Sequence, residues 1–193
     1  MHISEIVKKN FHDNLEINKI SLEKLLPQIE LATTKIINVT DSSGKIMSCG
    51  NGGSSGDAQH IVSELVNRFE KERKEVAAIS LNSDTATITS IANDYDYKYI
   101  FSKQINAIGK KEDLLIAFTT SGNSSNICEA IDVAKKISIP IILITGKDGG
   151  KASTQLSSID IEIRVPSDRT SRIQEVHLVI IHSICECIDQ HLT

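Results

Sequence analysis

Apolar residues recur along the chain in two rhythms, and the change between them divides it. Over residues 4–24, Ile6, Val7, Phe11, Leu15, Ile17, Ile20 and Leu22 return every three or four positions, the spacing of an amphipathic helix. Pro27 interrupts, and because proline is well tolerated at a first helical position the pattern predicts a second helix over about 28–39. From Lys45 the rhythm becomes strand, loop, helix. Short apolar runs at 45–49, 76–81, 113–119, 139–145 and 160–165 read as five strands. The runs at 113–119 and 139–145 are apolar throughout, as strands covered on both faces are, whereas 160–165 alternates like an edge strand and stops at Pro166. Helices are expected from near Asp57, from the Asn82-Ser83-Asp84 cap to about Ala92, over 101–108, over 126–136 and over about 169–190. Asn93–Tyr97 reads as a polar, aromatic break. The alternation predicts an α/β fold with a five-stranded parallel sheet flanked by helices. Its extra N-terminal helices (about 4–40) lie outside the winding and suit oligomer packing. Nothing resembling a linker or repeat interrupts the chain, so one domain over 1–193, with an α/β core at about 45–193, is expected.

The strand ends carry the chemistry. The first strand runs into Gly50-Asn51-Gly52-Gly53-Ser54-Ser55-Gly56 and then directly into a helix. Glycines there let the backbone turn tightly and approach a ligand, and the free N–H groups at a helix start attract an anion. No Gly-Lys-Ser/Thr closes the loop and its spacing is not that of a dinucleotide fingerprint, so a simple phosphate group is the expected guest. On the helix that follows, Asp57, His60, Glu64 and Arg68 recur at steps of three and four, which puts them on one stripe. The third strand ends in a second such loop, Thr119-Thr120-Ser121-Gly122-Asn123-Ser124-Ser125, with five hydroxyls where a helix cap needs one. In parallel sheets ligands bind at the carboxyl ends of strands near a switch in winding, which is where both loops fall. In the last helix Gln174, Leu178 and His182 rise along one broad face, and His177 points elsewhere and reads as structural.

Composition narrows the field. A net charge of −4, with no dense basic cluster, argues against a direct nucleic-acid binder. The N-terminal residues carry charges throughout and no apolar run reaches membrane-spanning length, so a cytoplasmic protein with no membrane role is expected. Cys49, Cys128, Cys185 and Cys187 show no Cys-x-x-Cys spacing and read as buried, reduced thiols.

Five stretches together carry a resemblance: SCGNGGSS-x-DAQH-xxx-E (48–64), IANDY (91–95), TTSGNSSN (119–126), LITGKDGGK (143–151) and RIQEVHLVIIH (172–182). By these the chain resembles the SIS (sugar isomerase) superfamily, and more closely its bacterial phosphoheptose isomerases. The resemblance implies a flavodoxin-like parallel sandwich assembled as a homotetramer with active sites at subunit interfaces. It implies conversion of D-sedoheptulose 7-phosphate to D-glycero-D-manno-heptose 7-phosphate through an enediol, for lipopolysaccharide heptose. Thr120, Ser121 and Ser124 would hold the phosphate, helped by Asn51, Gly52 and Gly53, with Ser54 and Thr119 in the same two loops. Asn93 and Asp94 would bind sugar hydroxyls. His60, Glu64, Gln174 and His182 would surround a zinc ion, one per subunit. Gln174 and Glu64 would also touch substrate, and Glu64 and His182 would carry the proton transfers. A carboxylate on zinc is a weaker base, so Glu64 would not fill both roles at one instant. Some of these isomerases carry an aspartate at the position of Ser171.

Two other classes compete. The chain also resembles, in Asn67-Arg68-Phe69-Glu70, IAND and SRIQE, a non-catalytic SIS protein that binds the replication initiator DnaA. That branch lacks the acid at 64, the serine at 121 and the histidine at 182, all present here. A sugar-phosphate-sensing module is the third.

Overall fold

A computed structural model of the chain describes residues 2–193. Its five strands are β1 (Ile46–Gly50), β2 (Ala78–Ser80), β3 (Leu114–Thr119), β4 (Ile141–Thr145) and β5 (Ile161–Arg164). All neighbours pair in parallel, in the order β2-β1-β3-β4-β5, so winding reverses between β1 and β3. Every residue of β1, β3 and β4 is buried, and their side chains alternate between two cores. Ile46, Leu114, Ile116, Phe118, Ile142 and Ile144 face one layer, and Met47, Cys49, Leu115, Ala117, Ile141 and Leu143 the other.

Helices α1 (Ile3–Asp41), α2 (Gly53–Val66) and α7 (Thr170–Leu192) cover the first face. The second is covered by α3 (Thr85–Asp94), α4 (Ser102–Ile108), α5 (Ser125–Lys136) and α6 (Gly150–Thr154). The short α6 has no counterpart in the sequence reading.

The N-terminal region corrects an expectation. The two helices predicted either side of Pro27 are one continuous helix of 39 residues with Pro27 inside it. Pro27 and Glu23, whose carbonyl loses its partner, are both exposed, so water can satisfy that oxygen. On the opposite face Leu25, Ile36 and Val39 are buried, at roughly 1.5–3 kcal/mol each. That outweighs the ~3 kcal/mol that a proline costs a helix interior. The expected thiols also divide. Cys49 and Cys185 are buried, and burial pushes Cys185 up to about 12, but Cys128 is half-buried and Cys187 exposed.

Asp113 ties β3 to the start of β1. It is 3% exposed, accepts from the N–H groups of Lys45 (3.0 Å) and Lys110 (2.8 Å), and pairs with the Lys45 ammonium. Burial alone would raise its pKa, but the Lys45 side chain and these N–H groups outweigh it and hold the carboxyl below its ordinary range. A depressed folded-state value means a contribution that is complete above the unfolded value of about 3.9 and is lost as pH falls through the folded one. Urea midpoints should therefore drop between pH 6 and pH 3. Asp113→Asn should cost about 1–3 kcal/mol at pH 6 and shrink that drop.

Candidate active site

The turn from β1 into α2 is drawn tight. A Cβ on Gly50 would lie 2.2 Å from the Ser54 carbonyl oxygen, and Gly52 has φ +56°, so glycine fits both places. Ser54 N–H donates to the Asn51 carbonyl at 3.0 Å and Ser55 N–H to that of Gly52 at 3.1 Å. These turns start α2 at Gly53 rather than near Asp57, which brings the helix's unpaired N–H groups into the glycine loop itself.

The β3–α5 loop opposes it. Ser124 is the N-cap residue of α5, yet its side chain makes no capping bond. Thr119 Oγ accepts from Gly122 N–H at 3.2 Å, and Ser121 Oγ accepts from Asn123 N–H at 3.3 Å. The loop after β4 braces this one from behind. Ala152 N–H donates to the Gly122 carbonyl at 2.9 Å, and a Cβ on Gly122 (φ +65°) would come within 1.8 Å of the Gly149 carbonyl oxygen. This is the role the structure gives the GKDGGK stretch. The two loops are joined across the switch point by a reciprocal amide pair: Asn51 and Asn126 each donate to the other at 2.8 Å.

Between the loops lies a cleft of 290 Å³. Asn51, Gly52, Gly53 and Ser54 line it from one side and Thr119, Thr120, Ser121 and Ser124 from the other, with Gln174 at the edge. Thr170 and Phe118 also line it. None of these side chains is charged, so an anion here would be held by N–H and hydroxyl donors and by the positive ends of α2 and α5. Gln174 packs where Gly53 has no side chain, since a Cβ there would meet its amide nitrogen at 2.3 Å.

The predicted acid–base residues lie further along the seam between α2 and α7, which leave the cleft side by side. His60 Nε2 is 3.1 Å from Glu64 Oε1 and 3.4 Å from His182 Nε2. His182 is exposed, not a core histidine, while His60 and Glu64 are half-buried. Two ligands on one tetrahedral zinc at about 2.0–2.1 Å stand about 3.3–3.4 Å apart, so the two imidazole nitrogens suit such an ion in type and spacing. Among the described residues, however, no three His, Cys, Asp or Glu side chains form a closed metal-holding group. Gln174 is eight residues from His182, about 12 Å along α7, and its amide would have to leave Gly53 to share an ion with it.

The expected stripe on α2 is only partly realised. Asp57 turns inward, 3.8 Å from Nδ1 of the fully buried His177, whose Nε2 donates to the Thr145 carbonyl at 3.1 Å. Arg68 falls beyond the helix end and pairs with Glu72. Asn93 and Asp94 are the last residues of α3, not a break; they are exposed, bond to each other at 2.8 Å and do not line the cleft. Just beyond, Tyr97 touches a residue of the cleft wall without lining the cleft itself: its hydroxyl donates to Asn51 Oδ1 at 3.2 Å. The sequence reading assigned no role to Asn126, Tyr97 or Thr170. Asn126 closes a quoted motif, but only the crossing of the loops shows what its amide does.

A family model described as "SIS domain" matches residues 11–146. Over 188 residues the chain is 53% identical to the phosphoheptose isomerase of Colwellia psychrerythraea, covering 97% of this chain and 96% of that one. Over 189 residues it is 50% identical to that of Alteromonas mediterranea, covering 97% and 95%. Among solved structures, the phosphoheptose isomerase of Francisella tularensis superposes with a TM-score of 0.96 at 38% identity, covering 98% of this chain and all of that one. Phosphoheptose isomerase GmhA of Neisseria gonorrhoeae gives 0.94, also at 38% identity and with the same coverage. The chain belongs to the SIS-domain family and, within it, to the phosphoheptose isomerases, which are enzymes that isomerise sugar phosphates.

Proposed function

We propose that the chain converts D-sedoheptulose 7-phosphate to D-glycero-D-manno-heptose 7-phosphate, the heptose precursor for lipopolysaccharide. The observation that carries this reading is a distance. One wall of the phosphate-suited cleft and the acid–base cluster lie on the same pair of helices, with Gly53 and His60 seven residues apart, about 10 Å of helix. From the phosphorus to C1 of an open-chain heptose 7-phosphate there are eight bonds. At about 1.2 Å per bond of extended chain that is also about 10 Å. A phosphate anchored between Gly52–Ser54 and Thr120–Ser124 would thus bring C1 and C2 to the level of His60, whose Nε2 stands 3.1 Å from Glu64 Oε1 and 3.4 Å from His182 Nε2.

The reaction moves a carbonyl from C2 to C1. The Glu64 carboxylate removes the proton from C1 and, after the electrons shift through the enediol, returns it to C2. The His182 imidazole passes a proton between the two oxygens. In this reading His60, Glu64, Gln174 and His182 would also hold a zinc ion, Gln174 once its amide leaves Gly53 and Glu64 only when it is not acting as the base, and the ion would supply Lewis-acid stabilisation of the enediolate oxygen. Asn93 and Asp94 bind sugar hydroxyls from beyond the cleft rim. We further propose a cytoplasmic homotetramer with interfacial sites. Supporting it, α1 exposes Ile3, Val7, Phe11, Leu15 and Leu22, with Phe11 at 70%, an apolar stripe of the kind that marks protein contacts.

Proton NMR of purified protein with sedoheptulose 7-phosphate tests the reading directly: aldose signals should appear, and should vanish after chelation. Turnover that survives chelation would remove zinc from the scheme. No conversion with any metal would overturn the reaction and favour a partner-binding scaffold. Glu64→Gln and His182→Ala should each lower kcat by at least about 10²-fold with unfolding midpoints near wild type, because both side chains reach solvent. Wild-type turnover in both would remove their assigned roles. A five-carbon ketose 5-phosphate falls about 2.4 Å short of the cluster, two bonds of extended chain. Its kcat/KM should be lower by about 10²-fold or more.

A further inference from the structure

Below His60, Glu64 and His182, the α2–α7 seam continues into contacts that face no cleft. Arg73, in the segment after α2, has a fully buried side chain and shares its N–H groups between the two helices. Its Nε donates to Asp189 Oδ1 on α7 at 2.8 Å, its Nη1 to the Leu65 carbonyl at 2.8 Å and its Nη2 to the Glu64 carbonyl at 2.6 Å. Those carbonyls belong to the last turn of α2, where the helix itself supplies no partner. Asp189, 1% exposed, turns its other oxygen to the N–H groups of Glu70 (2.7 Å) and Lys71 (2.9 Å). Burial pushes this carboxyl up, but the bonds from Lys71, Glu70 and Arg73 prevail and hold it below its ordinary range. The segment so tethered carries Phe69, which stacks on His182 with ring centroids 5.5 Å apart and planes 26° from parallel. His60 meets the same ring edge-on, at 5.0 Å and 70°.

We propose that Phe69, Arg73 and Asp189 are positioning residues, which hold the last turn of α2 at Glu64 and keep the His182 imidazole turned toward His60. None of the three lines the cleft. An exposed histidine on a helix has several staggered side-chain states open to it. The Phe69 face on one side and the His60 edge on another leave it one. Arg73 acts on the opposite partner, fixing Glu64 through its main chain. The inference rests on His182 taking part in turnover, so one arm of its test is independent of turnover.

The experiment combines steady-state kinetics, thermal midpoints and imidazole ¹H–¹⁵N NMR of the metal-free protein for wild type, Phe69→Ala, Phe69→Tyr and Asp189→Asn. Phe69→Ala should lower kcat by about 10- to 100-fold with KM unchanged, and broaden or split the His182 ring signals. Phe69→Tyr should restore both quantities, and Asp189→Asn should move both in the same direction as Phe69→Ala. A Phe69→Ala protein with wild-type kcat and one sharp His182 signal, altered only in thermal midpoint, overturns the positioning role. If the wild type itself does not turn over, the proposed reaction fails and the ring signals alone decide: unchanged signals overturn the inference, broadened ones uphold it. Should Asp189→Asn not fold, the two Phe69 variants still decide.

Discussion

Burial of a parallel sheet on both faces is the constraint on which the rest of this structure depends. Strands β1, β3 and β4 expose no residue, so each must be covered above and below, and each crossover must carry a helix to one layer or the other. The chain leaving β1 goes to the α1/α2/α7 layer, and the chain leaving β3 goes to the α3–α6 layer. Their loops therefore diverge at the one place where the strand order reverses. The cleft is the space left by that divergence, and two helix N-termini open into it because helices begin wherever the strands end.

Within that frame the site is built in tiers along a single seam. At the top, neutral donors and helix ends suit a phosphate. About two turns down stand the histidine pair and Glu64, the groups with the chemistry for moving protons. At the base, Arg73 and Asp189 lock the helices where neither faces ligand. One wall of the cleft, the His60/Glu64/His182 cluster and the Arg73–Asp189 pair thus lie along two helices, and the distance between the first two is set by helical rise rather than by any flexible loop. Rigid elements of this kind keep reacting groups in register more closely than loops can.

The loops, in turn, are supported by close backbone approaches. Gly122 lies against the Gly149 carbonyl, and Gly50 against that of Ser54, at separations that leave no room for a side chain. The Asn51–Asn126 pair adds a polar tie across the cleft. Hydroxyls that would otherwise serve only as caps, such as that of Ser124, stay uncommitted because the turns are closed by other means.

Periodicity and punctuation alone were enough for the five strands, their parallel arrangement, both loops at strand ends and the long last helix. These are local properties: alternating or continuous apolar runs and glycine-rich turns report directly on backbone geometry and burial. The pairing of His60 with Glu64 was legible for the same reason, since both sit on one helix four residues apart. Pro27 misled because its cost is local while the compensation, Leu25, Ile36 and Val39 buried in a layer shared with the distant α7 and the sheet, is not. Asp57 likewise left the polar stripe only once α2 and α7 were packed together and it met the buried His177, whose structural role the sequence did convey. Asn126 on Asn51, Phe69 on His182 and Arg73 on Asp189 join residues 75, 113 and 116 positions apart in the chain (126 − 51, 182 − 69 and 189 − 73). No spacing rule reaches that far. Such contacts exist only after the sheet has chosen its order and brought the two helices side by side.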